Sequence, residues 1–450
     1  MKNHKSNPCL ATRVPTFSPS RRLVRRTLAL AAAAGLLAFL VNPGRGEGFR
    51  NPPPGTFNLG RAGGRIAQID DASAIQQNPA NLVDVAGMEF QLTPSIVYIN
   101  ADFKSTTTGQ SATTEQPWKL LPNLFASAPL CDGKIAVGLG VTVPFGLSND
   151  WDENSAAFAR PTGILRYQTP NFAELQTINV NPTVSFKLGD HFQVGAGLDV
   201  MWSKVTLKQF YPWFIFPGST GTEPDGNLKA EGTGWAVGGN IGLTWAITEK
   251  QRLAVTYRSP MTVHYDGDFE VNNITPTAAF LGATSRSDFS TKAGFPSVVA
   301  LGYGIEITKN IRLEADAEWV QFSRFKSLDL NVGNNAFLLP TSKFAQNWRD
   351  TFTVGIGGDW RFAPNWVFRA GYQFYQSPVP ESTFSPTIPD ADQNVFTFGL
   401  GYTYKRHSLE AAYGADFYNS RHIRNDQNAA FNGDYEITVH LFSLAYHYSF

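Results

Sequence analysis

Hydrophobic and polar residues alternate with a period of two over long stretches of this chain. In Asn365–Phe374 the even positions are Trp366, Phe368, Ala370, Tyr372 and Phe374, while the odd ones include Arg369, Gly371 and Gln373. In Ile311–Trp319 the odd positions Ile311, Leu313, Ala315, Ala317 and Trp319 interleave with Arg312, Glu314, Asp316 and Glu318. Leu253, Val255 and Tyr257 likewise alternate with Arg252, Thr256 and Arg258. A period of two predicts strands with one apolar and one polar face. A soluble sandwich would give the same alternation, so spacing has to separate the architectures.

Fourteen candidate strands are centred near residues 96, 125, 140, 182, 199, 240, 260, 301, 320, 355, 370, 399, 412 and 443. Their connections alternate in length. Short turns fall at Cys131–Lys134, Gly189–His191, Thr248–Gln251, Thr308–Asn310, Ala363–Asn365 and Lys405–His407. Long connections span about 105–119, 148–175, 208–231, 272–292, 331–346, 377–392 and 419–434. An even strand count with short turns on one side and long loops on the other predicts an all-β fold, a transmembrane antiparallel barrel over residues 88–450. The polar face then lines the lumen and the apolar face meets lipid. The last strand places Phe442, Leu444, Tyr446, Tyr448 and Phe450 on one face and resembles the assembly signal of outer-membrane proteins. The expected setting is the outer membrane of a Gram-negative bacterium, with its lipid and lipopolysaccharide. The expected partner is the barrel-assembly machinery, reached through Phe450, and the expected state is a single copy.

The first 46 residues hold eight Lys/Arg, no acid, and an uncharged apolar run from Leu28 to Val41. They read as a secretory leader, because that run is shorter than the roughly 20 residues a spanning helix needs. The full chain balances 37 basic against 37 acidic residues. Without the leader, 29 basic residues face 37 acidic ones, and nucleic-acid binding loses its electrostatic basis. Residues 47–87 do not alternate. They carry Gly60, Gly63, Gly64, Asp70-Asp71 and Asn78-Pro79-Ala80, and are expected to plug the barrel as a compact hatch.

The stretch KQFYPWFIFPGST, residues 208–220, crowds Phe210, Tyr211, Trp213, Phe214, Ile215 and Phe216 around Pro212 and Pro217. Two prolines so close predict a loop, yet the composition suits an apolar neighbour better than water. The third strand contains Pro144 and Gly146 within VTVPFGL. Proline removes a ladder donor and glycine weakens pairing, so the residues there fit either a gap in the wall or an ordinary strand end beside a loop.

Three further blocks complete the pattern: LAVTYRSPMTVHYDGDF (253–269), NWRDTFTVGIGGDW (347–360) and RAGYQFYQSPVPESTFSPTIPDAD (369–392). With GFRNPPPGTFNLGRAGGRIAQIDDASAIQQNPANL at the N-terminus, they resemble the FadL-type family of long-chain fatty acid outer-membrane transporters. The resemblance implies a fourteen-stranded barrel plugged by its own N-terminus. It implies that a hydrophobic ligand is captured between the third and fourth extracellular loops and passes to a pocket near the hatch. Release is then sideways, through a gap at the third strand. Ligand contacts implied on this basis are Phe49, Phe210, Tyr211, Trp213, Phe214, Phe216, Phe280 and Leu281. The hatch and gate positions are Asn78, Pro79, Ala80, Pro144, Phe145 and Gly146. Arg258 and Arg369 have lumen parity and either pair with a ligand carboxylate or with acids across the lumen.

Other chemistries find little support. No Gly-x-Ser-x-Gly motif occurs, neither an HExxH motif nor a cysteine pair suggests zinc, and Asp390/Asp392 lack an EF-hand pattern. No enzyme activity, cofactor or metal is expected. Two rivals remain, a general porin lined by charges such as Arg312 to Glu318, and a surface adhesin or receptor. Long-chain fatty acids and aromatic hydrocarbons fit the main reading equally.

Overall fold

The computed structural model describes residues 47–339 and 343–450; the leader read over residues 1–46 lies outside the described residues. Fourteen wall strands close into one antiparallel barrel. They are β1 (Glu89–Leu92 and Ser95–Ser105), β2 (Trp118–Leu121 and Leu124–Leu130), β3 (Ile135–Thr142 and Leu147–Asp150), β4 (Phe172–Leu188) and β5 (Phe192–Tyr211). There follow β6 (Gly226–Thr248), β7 (Gln251–Arg258 and Met261–Val271), β8 (Arg286–Phe295 and Val298–Thr308), β9 (Ile311–Val320) and β10 (Thr351–Ala363). The last four are β11 (Trp366–Tyr375), β12 (Gln393–Tyr404), β13 (His407–Tyr418) and β14 (Gly433–Ser449). Each pairs with the next, and β14 pairs with β1 through Ser95↔Ser443 to Ser105↔Gly433. Five strands are interrupted, and each break holds a proline: Pro94, Pro122, Pro144, Pro260 and Pro296. A proline cannot donate to the ladder, which is the local cause.

The loops sort as the spacing predicted, with some boundaries moved. Turns 131–134, 189–191, 249–250, 309–310, 364–365 and 405–406 lie at one end. The third long connection is 212–225 rather than 208–231, because β5 runs on through Phe210 and Tyr211. Outward positions are apolar and exposed: Trp235, Val237, Ile241, Leu243, Phe352, Phe398 and Leu444 are examples. A continuous apolar belt of this kind is costly in water and correct in lipid. Among the described residues no helix is long and apolar enough to cross a membrane, so strands do the crossing.

Residues 47–87 fill the lumen with two short helices, Thr56–Gly60 and Ala74–Gln77, and a 3-10 turn, Pro79–Asp84. Such short helices are marginal alone and are held by the wall. The inward row of β9 does not line water. Glu318 meets Arg65 and, at 2.6 Å, Arg50; Glu314 lies 3.4 Å from Arg61; Arg312 binds Asp70 at 2.7 Å. Glu314 also accepts the backbone N–H of Ile66 and Ala67, and Asp316 that of Arg65. Burial pushes the Asp70 carboxyl up, but Arg312 and Arg361 outweigh it and hold it well below the usual carboxylate range. The charges that a porin reading would expose to solvent are spent on the hatch.

Wall glycines make this seating possible. A Cβ at Gly371 would lie 2.2 Å from the Ala62 carbonyl oxygen, and one at Gly195 2.3 Å from the Pro79 carbonyl carbon. Hatch backbone therefore rests directly on wall backbone.

Candidate functional site

Loop 212–225 and loop 272–285 form a joint at the long-loop end. A 3-10 turn, Trp213–Ile215, faces a helix, Pro276–Phe280, capped by Thr275. Trp213 is fully buried, and its indole N–H donates to the Asn272 carbonyl at 2.9 Å. Tyr211 and Phe216 pack on it with ring centroids 4.6 and 5.4 Å away. Phe210 is buried beneath the Arg166 guanidinium, 3.8 Å from its ring centre, and Phe214 sits against Tyr167 and Arg160. Asp225 ties the neighbouring loop in through Arg160 and Arg166 at 3.0 and 2.7 Å. The aromatic stretch is thus mostly the packing of this joint. The apolar residues it presents outward are Ile215 at 69 % exposure, Phe280 at 89 % and Leu281 at 56 %.

Inside the long-loop end lies an apolar chamber of about 90 Å³, lined by Leu207, Leu228, Phe269, Phe325, Leu330 and Ile388. Its polar lining is neutral, from Gln209, Gln346, Ser385 and Thr387. None of the aromatics of 210–216 lines it. Sequence reasoning missed these lining residues, because Phe325 and Leu330 fall in an irregular connection where no period marks an inward face.

Phe49 closes the floor. Its ring lies 5.2 Å from Trp348, 5.4 Å from Phe325, 5.6 Å from Phe295, 5.7 Å from Phe322 and 6.1 Å from Phe145. Phe325 belongs to both this cluster and the chamber. Below it a second cavity of about 80 Å³ passes Pro144 and Phe145 and runs over the hatch prolines to Arg258 and Tyr375.

That cavity abuts the break in β3. Pairing of β2 with β3 ends at Leu124↔Val141; the other half of β2, Trp118–Leu121, pairs with β1. Beyond the break, contact with the preceding segment resumes at the Thr114↔Trp151 bridge. In between, the chain turns inward and binds the hatch. Gly146 donates its N–H to the Phe49 carbonyl at 2.8 Å, and Asn51 donates its N–H to Pro144 at 3.0 Å and its side-chain amide to Val143 at 2.9 Å. The expected wall interruption is present, and the N-terminal residues pair into it from the lumen.

Asn78, Pro79 and Ala80 sit elsewhere, as an anchor. Asn78 donates to Ile66 O at 2.7 Å and Thr244 Oγ1 at 2.9 Å, and its Oδ1 accepts from the Ala80 N–H. Ser185 donates to Ala80 O at 2.8 Å. Arg258 pairs with Asp199 and donates to Gln76 O, and Arg369 pairs with Glu410 at 2.9 Å beside the Phe57 ring. Both arginines pair with wall carboxylates two strands away. Asp390 and Asp392 accept from the Ser377 hydroxyl and N–H respectively. Burial pushes the Asp390 carboxyl up to about 6 despite that hydroxyl.

A family model described as "Outer membrane protein transport protein (OMPP1/FadL/TodX)" matches residues 46–450. The long-chain fatty acid transport protein of Escherichia coli O6:H1 is 25 % identical, over 93 % of this chain and 98 % of that protein. Outer membrane protein P1 of Haemophilus influenzae is 24 % identical, over 84 % and 86 %. Among solved structures, a Pseudomonas aeruginosa FadL homologue superposes with a TM-score of 0.74 at 22 % identity, covering 90 % of this chain and 100 % of that one. The Ralstonia pickettii toluene transporter TbuX gives 0.66 at 19 %, covering 90 % and 99 %.

Proposed function

Because the chain belongs to the OMPP1/FadL/TodX family of outer-membrane transport proteins, we propose that it carries hydrophobic molecules inward and releases them sideways through the broken third strand. The observation that carries this reading is the break at Val143–Gly146, where pairing with β2 lapses and hatch residues hold the opening shut. Ile215, Phe280 and Leu281 offer the first apolar contact, the leucine-lined chamber holds the ligand, and Phe49 separates it from the exit. Among the described residues the chamber lining includes no Lys or Arg, so it suits neutral hydrocarbon, whether a free aromatic compound or the tail of a fatty acid. A porin reading fits less well, since the polar lumen face is bonded to the hatch.

Two variants test the route. Leu228→Trp, which fills the chamber, is expected to reduce equilibrium binding of a fluorescent fatty acid and of toluene by roughly tenfold or more, the loss of about 1.4 kcal/mol. Gly146→Trp, at the break, should leave that binding intact and slow uptake into cells at equal surface abundance. Undiminished uptake by the second variant would point to a straight path into the periplasm.

A further inference from the structure

Asp71, Glu410 and His447 each bring a ligand-capable atom within 4.8 Å of the other two. They come from the hatch, β13 and β14, near the short turn at 405–406. His447 Nδ1 lies 3.1 Å from Glu89 Oε1, and Nε2 is the ring nitrogen turned toward Glu410 and Gln91. Glu410 spends one oxygen on Arg369; its other, Oε2, is buried, accepts no hydrogen bond, and sits 3.8 Å from His447 Nε2. The wholly buried Gln91 places its amide 3.2 Å from Nε2 and 3.5 Å from Asp71 Oδ2, with Oε1 unpartnered.

Asp71, Glu89 and Glu410 bring three carboxylates to this pocket, and Glu410 also holds Arg369. Buried charges of this kind are paired or coordinate metals. One imidazole nitrogen and two carboxylates suit a borderline divalent ion. A carboxylate behind the imidazole is the arrangement that orients a metal-binding histidine. We propose that Asp71, Glu410 and His447 bind a divalent transition-metal ion, Zn²⁺ being the best fit, which staples the hatch to the seam between β13 and β14. No sequence spacing could announce it, because the ligands lie at positions 71, 410 and 447.

The test is titration of Zn²⁺ into full-length protein, stripped with EDTA and held in detergent. One ion per chain is expected, not displaced by Ca²⁺ or Mg²⁺ in excess. His447→Gln and Glu410→Gln should each weaken binding by at least tenfold, whereas Glu89→Gln, acting through the histidine, should do so by roughly ten- to a hundredfold. X-ray absorption of the wild-type zinc protein, which needs no variant to fold, should show imidazole scattering and N/O ligands near about 2.0–2.1 Å. Absence of stoichiometric binding, binding unchanged in His447→Gln, or a spectrum without imidazole would each overturn the site. No transport readout enters, so the result stands apart from the uptake reading.

Discussion

Phe49→Ala is expected to raise the rate of hydrophobic uptake about tenfold or more at unchanged surface abundance. Phe49 touches five rings, and aromatic pairs contribute about 0.5–1.5 kcal/mol each beyond their buried area. Removing a buried phenylalanine costs about 3–5 kcal/mol in all. The hydrogen bonds that remain between residues 49–51 and the β3 break are three, two from backbone and one from the Asn51 side chain, each with a net value of about 1 kcal/mol. The ring is therefore the larger share of what holds the floor of the chamber shut. If displacing it limits transport, even 1.4 kcal/mol of that term gives a tenfold change. Uptake of toluene and of a fluorescent fatty acid by cells carrying the variant measures it. A rate equal to or below that of the parent would show that Phe49 is not the barrier.

Glu318→Gln should unseat the hatch while leaving the barrel closed. Glu318 is buried between Arg50 and Arg65, and no other carboxylate pairs with Arg65 among the described residues. Arg50 keeps Glu47 at 2.8 Å, and Arg65 keeps only the Gln373 amide oxygen at 2.5 Å. Taking one partner out of a buried ion pair costs about 3–5 kcal/mol, since the remaining charge stays desolvated. Glu249→Gln, on an exposed turn, should change stability by no more than about 0.5 kcal/mol and serves as the control. Two measurements follow: trypsin cleavage inside residues 47–87, mapped by mass spectrometry, and single-channel conductance. Both should rise in Glu318→Gln, with a heat-modifiable gel band retained. Protection equal to the parent's would mean that the latch lies elsewhere.

The strand count and the sorting of loops were legible because both are local. Alternation in Ile311–Trp319 or Asn365–Phe374 needs only a pleat and a lipid boundary, and turns such as 249–250 are short whatever they face. The β3 break was legible for the same reason, since Pro144 cannot donate wherever it sits. What the aromatics of 208–220 do was not legible. A buried Trp213 bonded to Asn272 and a ligand-facing tryptophan have the same sequence, and only the approach of loop 272–285 separates them. Arg258 and Arg369 could be assigned lumen parity, but their partners Asp199 and Glu410 lie 59 and 41 residues away. The chamber residues Phe325 and Leu330 are set by tertiary packing of an irregular connection, where periodicity carries no signal.

Hatch backbone resting on wall glycines leaves no clearance for threading, and this bears on the order of events during biogenesis. Thr56 hydrogen-bonds Ser443 on the last strand, while Ala62 and Gly63 lie against β10 and β11. A finished cylinder would have to admit that shape against closely apposed wall backbone. The N-terminal segment, exported first, acts as a mandrel: the ribbon of strands curls around it, and β14 shuts the seam last, like a stave set against a filled cask. In a pulse-chase, protease protection of residues 47–87 should then be complete no later than the heat-resistant barrel form, and protection gained only afterwards would contradict this order. A lesion at the far C-terminal end would accordingly expose the opposite end of the polypeptide, 387 positions away along the chain.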